Sequence, residues 1–253
     1  MANKHYQIYT GTSGLVLPFP NKQYYPAEFR DKSRLTYYAS LFNSIEINSS
    51  FYKIPMAKTV KKWAEEVTPD FRFTFKLWRD ITHNKELFFN AEDVNRFMGV
   101  IDAAGSRKGC LLVQFPPGFT AAGSGKLKNL LDVLRQNTAD PQWKIAVEFR
   151  NRSWYDEKTY DLLNRYGASL VLHDKPLSAF TSPVTEADFI YLRFHGPSGD
   201  YRGSYADAFL YEYAQYVREW AEEGKSVYVY FNNTMGDAVK NLATMNSYLF
   251  EEE

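Results

Sequence analysis

The chain has 253 residues, 30 Lys+Arg against 30 Asp+Glu, no formal net charge, 45% hydrophobic and 24% charged residues, and one cysteine. That composition excludes an intrinsically disordered chain, an internal disulfide and any zinc site built on several thiolates. Balanced charge without a basic block also removes the electrostatic basis for nonspecific nucleic-acid binding.

The first residues, Met1-Ala2-Asn3-Lys4-His5-Tyr6, lead into no apolar leader, and no run approaches the ~18 apolar residues of a membrane span. The expectation is a cytoplasmic protein that meets no membrane. Strand-like runs and helical faces then alternate along the chain. A strand over 6–12 runs into Gly11-Thr12-Ser13-Gly14, which has neither the dinucleotide nor the Walker spacing of glycines. Leu35/Tyr38/Phe42 predicts a helix, 44–48 a strand, Val60/Trp63/Ala64/Val67 a helix and 71–76 a strand. Val94/Phe97/Met98/Ile101, introduced by Asn90 as N-cap, leads to a strand over 109–115. Leu127/Leu130/Leu131/Leu134 leads to a strand over 144–149, after which Ser153 stands where an N-cap belongs and Gly167 where a helix should stop. Strands over 168–173 and 189–195 follow, and the connection between them, 175–188, shows no helical face. Tyr213/Val217/Trp220 with Gly224 behind it, a strand over 226–232 and a last helix on Ala238/Leu242/Met245 complete the chain. No Pro/Gly/Ser-rich linker divides it. Eight strands alternating with helices predict one (β/α)8 TIM-type barrel domain over residues 1–253, with a doubly wound open sheet as the disfavoured alternative.

In such a barrel alternate strand residues face the axis, and chemistry gathers at the C-terminal strand ends. Alternation sends Ile45 and Ile47 outward and Glu46 and Asn48 inward; Phe71, Phe73 and Phe75 go outward and Lys76 inward. Further strand ends supply Gln114, Glu148 with Arg150, His173-Asp174, the face Tyr191/Arg193/His195, and Asn232-Asn233. A polar residue therefore closes nearly every strand at one depth. The competing structural explanation is mutual neutralisation: Glu46, Glu148 and Asp174 against Lys76, Arg150 and Arg193. Six buried charges stabilise little compared with apolar filling, so a site kept ready for a polar ligand explains the set better. Tyr52 and Trp154, just beyond two of the strands, would wall the pocket or serve as lid packing.

The segments Gly11-Thr12-Ser13-Gly14, Phe42-Asn43-Ser44-Ile45-Glu46-Ile47-Asn48-Ser49-Ser50-Phe51-Tyr52, Thr82-His83, Gln114-Phe115-Pro116-Pro117, Glu148-Phe149-Arg150 with Ser153-Trp154, Arg193-Phe194-His195-Gly196 and Phe231-Asn232-Asn233 carry a resemblance. Together, from about Tyr9 to the end, the chain resembles the domain of unknown function seventy-two family (YecE-like). The resemblance implies a (β/α)8 barrel and no established reaction. It departs at one place: the family usually carries Trp-Ser-Tyr after Gly-Thr-Ser-Gly, and here Leu15-Val16-Leu17-Pro18 follows, so specificity on that side is expected to differ if those aromatics touch substrate in relatives.

The favoured function is a metal-independent hydrolase, lyase or isomerase acting on a small polar or anionic substrate: a sugar, sugar phosphate or hydroxy acid. Glu46 and Glu148 would divide acid and base roles, with Asp174 in the same charged set and His195 as an alternative proton carrier. Lys76, Arg150 and Arg193 would clamp an anion, or Lys76 would form a Schiff base with a carbonyl substrate. Asn48, Tyr52, His83, Gln114, Trp154, Asn232 and Asn233 complete the expected substrate contacts. No cofactor is expected. The second function is a divalent-metal hydrolase or isomerase with Glu46, Glu148, Asp174 and His195 as ligands, opposed by three cations at the same rim. The third is a non-catalytic module for a ligand or nucleic acid, disfavoured by zero net charge. Oligomeric state is not legible in the sequence.

Overall fold

A computed structural model describes residues 7–137, 143–175 and 182–250. Its strands are β1 (Ile8–Thr12), β2 (Ser44–Ile47), β3 (Arg72–Lys76), β4 (Lys108–Gln114), β5 (Lys144–Glu148), β6 (Ser169–Leu170), β7 (Leu172–His173), β8 (Phe189–Phe194) and β9 (Ser226–Phe231). Every pairing among them is parallel. They form one sheet in the order β1-β9-β8-β7 and another in the order β2-β3-β4-β5-β6.

The expected strand over 168–173 is present but divided at Val171. Its first half pairs with β5 and its second with β8, so one stretch of chain belongs to both sheets; Val171 itself donates to the Val147 carbonyl at 2.9 Å. At the other seam β1 meets β2 through a single bridge, Ser13 to Glu46, and the Gly14 N–H donates to the Glu46 carbonyl at 2.7 Å. Side chains supply the rest of that ladder. Asn43 accepts from the Thr10 N–H and donates to the Ile8 carbonyl, both at 2.8 Å. The Tyr38 hydroxyl accepts from the Thr12 N–H at 2.7 Å and donates to the Ser44 carbonyl at 3.0 Å. Gly11 makes the approach feasible, because a Cβ there would stand 2.1 Å from the Ser44 carbonyl oxygen.

Helices α1 (Arg34–Leu41), α2 (Ser49–Tyr52), α3 (Ala57–Glu65), α4 (Arg79–Thr82), α5 (Ala91–Ile101), α6 (Ser124–Gln136), α7 (Glu157–Arg165), α8 (Asp207–Glu222) and α9 (Ala238–Phe250) lie between or after the strands. The predicted apolar faces are the ones that pack: Val94, Phe97, Met98 and Ile101 of α5 and Leu127, Leu130, Leu131 and Leu134 of α6 are all buried. Asn90 caps α5 through its side chain, accepting from Glu92. Ser153 does not cap a helix. It lies inside a 3-10 turn, Arg152–Trp154, and Asp156 caps α7 by accepting from the Thr159 N–H. Gly167 and Gly224 end their helices with φ of 53° and 91°. Of the connection expected to lack a helix, 182–188 has none, while 176–181 and Tyr6 lie outside the described residues.

Strand residues divide by alternation between two apolar clusters. Leu111 and Val113 join the large cluster that includes the helix faces. Cys110 and Leu112 join a smaller one with Ala146, Tyr191, Tyr228 and Tyr230. Parallel strands are thus apolar on both sides, as a sheet covered on both faces requires. Among the described residues no helix is long and apolar enough to cross a membrane.

Candidate active site

At the C-terminal strand ends a cleft of about 160 Å³ is lined by Asn48, Phe51, Tyr52, Lys76, Gln114, Arg193, Tyr201 and Asn232. Beneath it lies a chain of buried ion pairs. Arg193, at the end of β8, is 1% exposed; its Nε and Nη2 donate to the two oxygens of Glu46 at 2.9 and 2.7 Å, and Nη1 donates to Glu148 at 2.6 Å. Alternation along β2, β5 and β8 aims all three at one point. Glu46 accepts further from Tyr191 (2.5 Å) and Ser13 (2.7 Å), and Glu148 is also paired with Arg150. Burial pushes both carboxyls up. For Glu46 the Arg193 guanidinium and the hydrogen bonds from Arg193, Tyr191 and Ser13 outweigh it, holding the group below the usual range. For Glu148 the charges of Arg150 and Arg193 do so more strongly. Arg193 moves the opposite way: burial disfavours its charge, and the two glutamates more than restore it.

His195 closes the floor. Its Nε2 lies 2.9 Å from Arg150 Nη2 and 3.2 Å from Arg193 Nη1, and guanidinium groups only donate. Nε2 is therefore the acceptor, and Nδ1 carries the proton that it donates to Asp174 at 3.0 Å. Burial, joined by the charges of Arg193 and Arg150 against the bond to Asp174, lowers the pKa of His195 to about 4. Asp174 also accepts from the His195 N–H at 2.8 Å and from the Tyr205 hydroxyl. The imidazole is neutral, fully buried and engaged at both nitrogens.

Two cations line the cleft, Arg193 and Lys76. The Lys76 Nζ donates to Gln114 Oε1 at 2.7 Å and lies 4.1 Å from the centre of the Phe51 ring. Gln114 is oriented by its own N–H donated to the Phe115 carbonyl at 3.2 Å, and His83 Nε2 stands 3.4 Å behind it. His83, pushed down to about 4 by burial and then by the charges of Lys76 and Arg79, is neutral. Burial, and next the charge of Arg193, lowers the Lys76 amine to about 8. Among the described residues Lys76 forms no ion pair, whereas Arg150 and Arg193 both do. The three-cation clamp expected from sequence is thus reduced: Arg193 keeps one Nη2 hydrogen after its bonds to Glu46, Glu148 and His195, and Arg150, which turns Nη2 to Glu148 and His195, is not among the residues that line the cleft.

Of the expected contacts, Asn48, Tyr52, Gln114 and Asn232 line the cleft, with Tyr52 68% exposed at its rim. Two do not. Trp154 is fully buried, stacked on Phe149 at 4.4 Å, with its indole N–H on the Phe119 carbonyl at 2.7 Å. Asn233 is buried and donates to the Gly203 carbonyl at 3.0 Å and to Asn241 at 2.9 Å. Glu46 and Glu148 lie below the cleft rather than across it as a free acid/base pair. The metal reading named Glu46, Glu148, Asp174 and His195; the Arg193 guanidinium lies between the first two, and among the described residues no three His, Cys, Asp or Glu side chains group as ligands. Phe51, Tyr201 and Tyr205 were not singled out from sequence as site residues. Tyr201 has φ of 69° and packs 4.0 Å over the Lys175 amine.

The family described as protein of unknown function DUF72 matches residues 9–253. The chain belongs to the DUF72 family. The resemblance carried by its motifs is therefore one of membership. UPF0759 protein YunF of Bacillus subtilis is 26% identical over 276 residues, covering 92% of each chain. A DUF72 protein of Thermotoga maritima matches with a TM-score of 0.75 and 27% identity, over 97% of this chain and all (100%) of that one. Another from Enterococcus faecalis matches at 0.79 and 22% identity, over 97% and 96%. Outside the family, a xylose isomerase domain containing protein of Salmonella typhimurium, a TIM-barrel protein, matches at 0.50 with 13% identity over 96% and 97%, a likeness of fold alone. Leu15 and Leu17, which follow Gly14, pack against the larger apolar cluster, and neither lines the cleft.

Proposed function

We propose that the two parallel sheets act as one closed (β/α)8 barrel, and that its mouth is the active site of an enzyme for a small neutral polyhydroxylated substrate, a sugar or sugar derivative. The observation that carries this reading is the division of the mouth into a sealed ionic floor and an amide and aromatic wall. Three carboxamides, Asn48, Gln114 and Asn232, face the cleft with Phe51, Tyr52 and Tyr201. Carboxamides donate and accept together, which suits hydroxyl groups, while aromatic faces cover the C–H faces of a sugar ring or chain. Asn48 Oδ1 is buried with no hydrogen-bond partner, and in this reading a ligand hydroxyl supplies the missing bond.

Charge supports a neutral ligand over a dianion. Glu46, Glu148 and Asp174 are matched in number by Arg150, Arg193 and Lys76, and Arg193, the guanidinium that lines the cleft, has all but one of its hydrogens used within the floor. Glu46 and Glu148 then set the electrostatic field and hold Arg193 in place, and Lys76 is the group that reaches substrate.

Calorimetric titration with neutral alditols and aldoses of three to six carbons, beside their phosphate esters, tests the reading. The expected result is saturable binding of neutral ligands, weakened about tenfold by Asn48→Ala, since a lost hydrogen bond to a buried polar group costs about 1.4 kcal/mol. Tighter binding of the phosphate esters, with none of the neutral compounds, would overturn it in favour of the anion site.

A further inference from the structure

We propose that Lys76 is a nucleophile that forms a Schiff base with the carbonyl carbon of an open-chain aldose or hydroxyaldehyde bound in the cleft; the proposal rests on the sugar-binding reading and names the reactive form of that substrate. Four observations converge on Lys76. Its amine opens on the cleft from the end of β3, it has an apolar wall in Phe51 at 4.1 Å, its one hydrogen-bond partner is a carboxamide, and among the described residues no carboxylate pairs with it. A carboxylate partner would hold the amine protonated. The Gln114 oxygen accepts one N–H and leaves the nitrogen lone pair free to point into the cleft. Burial and then the charge of Arg193 disfavour the ammonium, against the opposing charges of Glu148 and Glu46. With an amine near 8, about a quarter is neutral at pH 7.5, against about one part in a thousand for an ordinary lysine.

The reaction balances without an external reagent. The Nζ lone pair attacks the carbonyl carbon, the C=O π pair moves to oxygen and the ammonium proton passes to that oxygen through water, giving a carbinolamine. The carbinolamine hydroxyl then takes back, through water, the proton shed when the Lys76 ammonium became the attacking free amine; it leaves as water while the nitrogen lone pair forms C=N, giving the iminium, an electron sink for proton removal at the neighbouring carbon. The Asn48 and Asn232 carboxamides hold the substrate hydroxyls during these steps.

The test uses the intact protein, D-glyceraldehyde as a three-carbon probe, and sodium cyanoborohydride, which delivers hydride to the iminium carbon and leaves a stable secondary amine. Peptide mass spectrometry then reports the rate of modification at each lysine at pH 7.5, with and without excess erythritol, which has hydroxyls but no carbonyl. Expected is modification of Lys76 at least about tenfold faster than at the surface lysines, slowed by erythritol. In Gln114→Glu, where a carboxylate meets the amine, the advantage should fall by about tenfold or more while other lysines are unchanged. Modification at the surface rate would overturn the proposal. If erythritol still binds in calorimetry, only the Schiff base falls and the sugar site stands; if it does not bind, both fall. Fast labelling that erythritol leaves unchanged would support the nucleophile and remove the polyol reading of the cleft.

Discussion

Replacing Arg193 with Met keeps most of the side-chain volume and removes the charge that joins Glu46 to Glu148. Three charge-assisted hydrogen bonds of 2.6–2.9 Å are lost. Glu148 retains Arg150, but Glu46, 0% exposed, keeps only the hydroxyls of Tyr191 and Ser13. Stripping one partner from a buried pair costs about 3–5 kcal/mol, because the remaining charge must be neutralised or stay buried alone. Against a total stability of about 5–15 kcal/mol this is a large fraction, and for a domain of this length it lowers Tm by about 6–20 °C. Urea unfolding followed by circular dichroism measures it, and Glu46→Gln in the same background should recover part of the loss, revealing the coupling. A loss below about 1 kcal/mol for Arg193→Met, or strict additivity with Glu46→Gln, would refute the idea that the floor is an interdependent ion-pair chain.

Acid should weaken the fold before the carboxylates titrate. His173 and His195 sit near 4 in the folded state, below the ordinary 6.5, so the unfolded chain binds more protons between those values and stability falls as pH drops from 6.5 toward 4. Glu46 and Glu148, held low, add their loss only below about 4.5. Urea midpoints measured from pH 7.5 to 5 should therefore decline, and a flat profile would contradict the neutral buried imidazoles. Lys76→Met should change stability by less than about 1 kcal/mol, or raise it, since a half-buried unpaired amine is replaced by apolar volume, while abolishing reductive labelling at residue 76. Trp154→Ala should cost about 3–5 kcal/mol as a core truncation, and Tyr52→Ala less than about 0.5 kcal/mol with weakened ligand binding; equal effects on stability would mean the two aromatics are not divided between core and rim. Gly11→Ala should destabilise markedly in thermal unfolding, because the new methyl meets the Ser44 carbonyl across the β1–β2 seam.

Alternation made most of the floor legible. Ile45-Glu46-Ile47 and Tyr191-Leu192-Arg193 place their polar members on the inner face once the strands are recognised, and the structure joins those same residues. Beyond a strand end that rule lapses. Asn232 reaches the cleft while its neighbour Asn233 turns to the Gly203 carbonyl, and Trp154, one turn past β5, goes into the core. The seams were hidden for a different reason: Asn43 and Tyr38 replace backbone ladder bonds with side-chain ones, and Val171 splits a strand whose composition is continuous. Tyr201 and Tyr205 come from the loop after β8, where no periodicity aims a side chain; Tyr205 is fixed by bonds to Asp174 and the Gly196 N–H. That Arg150 and Arg193 are in ion pairs, and Lys76 is not, depends on distances between strands far apart in sequence.

The central claim is that Lys76, which among the described residues lines the cleft without an ion pair, is a partly neutral amine at physiological pH. Heteronuclear NMR titration of the lysine Cε–Nζ signals, with Lys76→Arg to assign the resonance, measures it directly. A midpoint for Lys76 of about 8 is expected. A midpoint near the ordinary lysine value of 10.5 would mean that a carboxylate or solvent stabilises the ammonium, and the account of the cleft would be wrong.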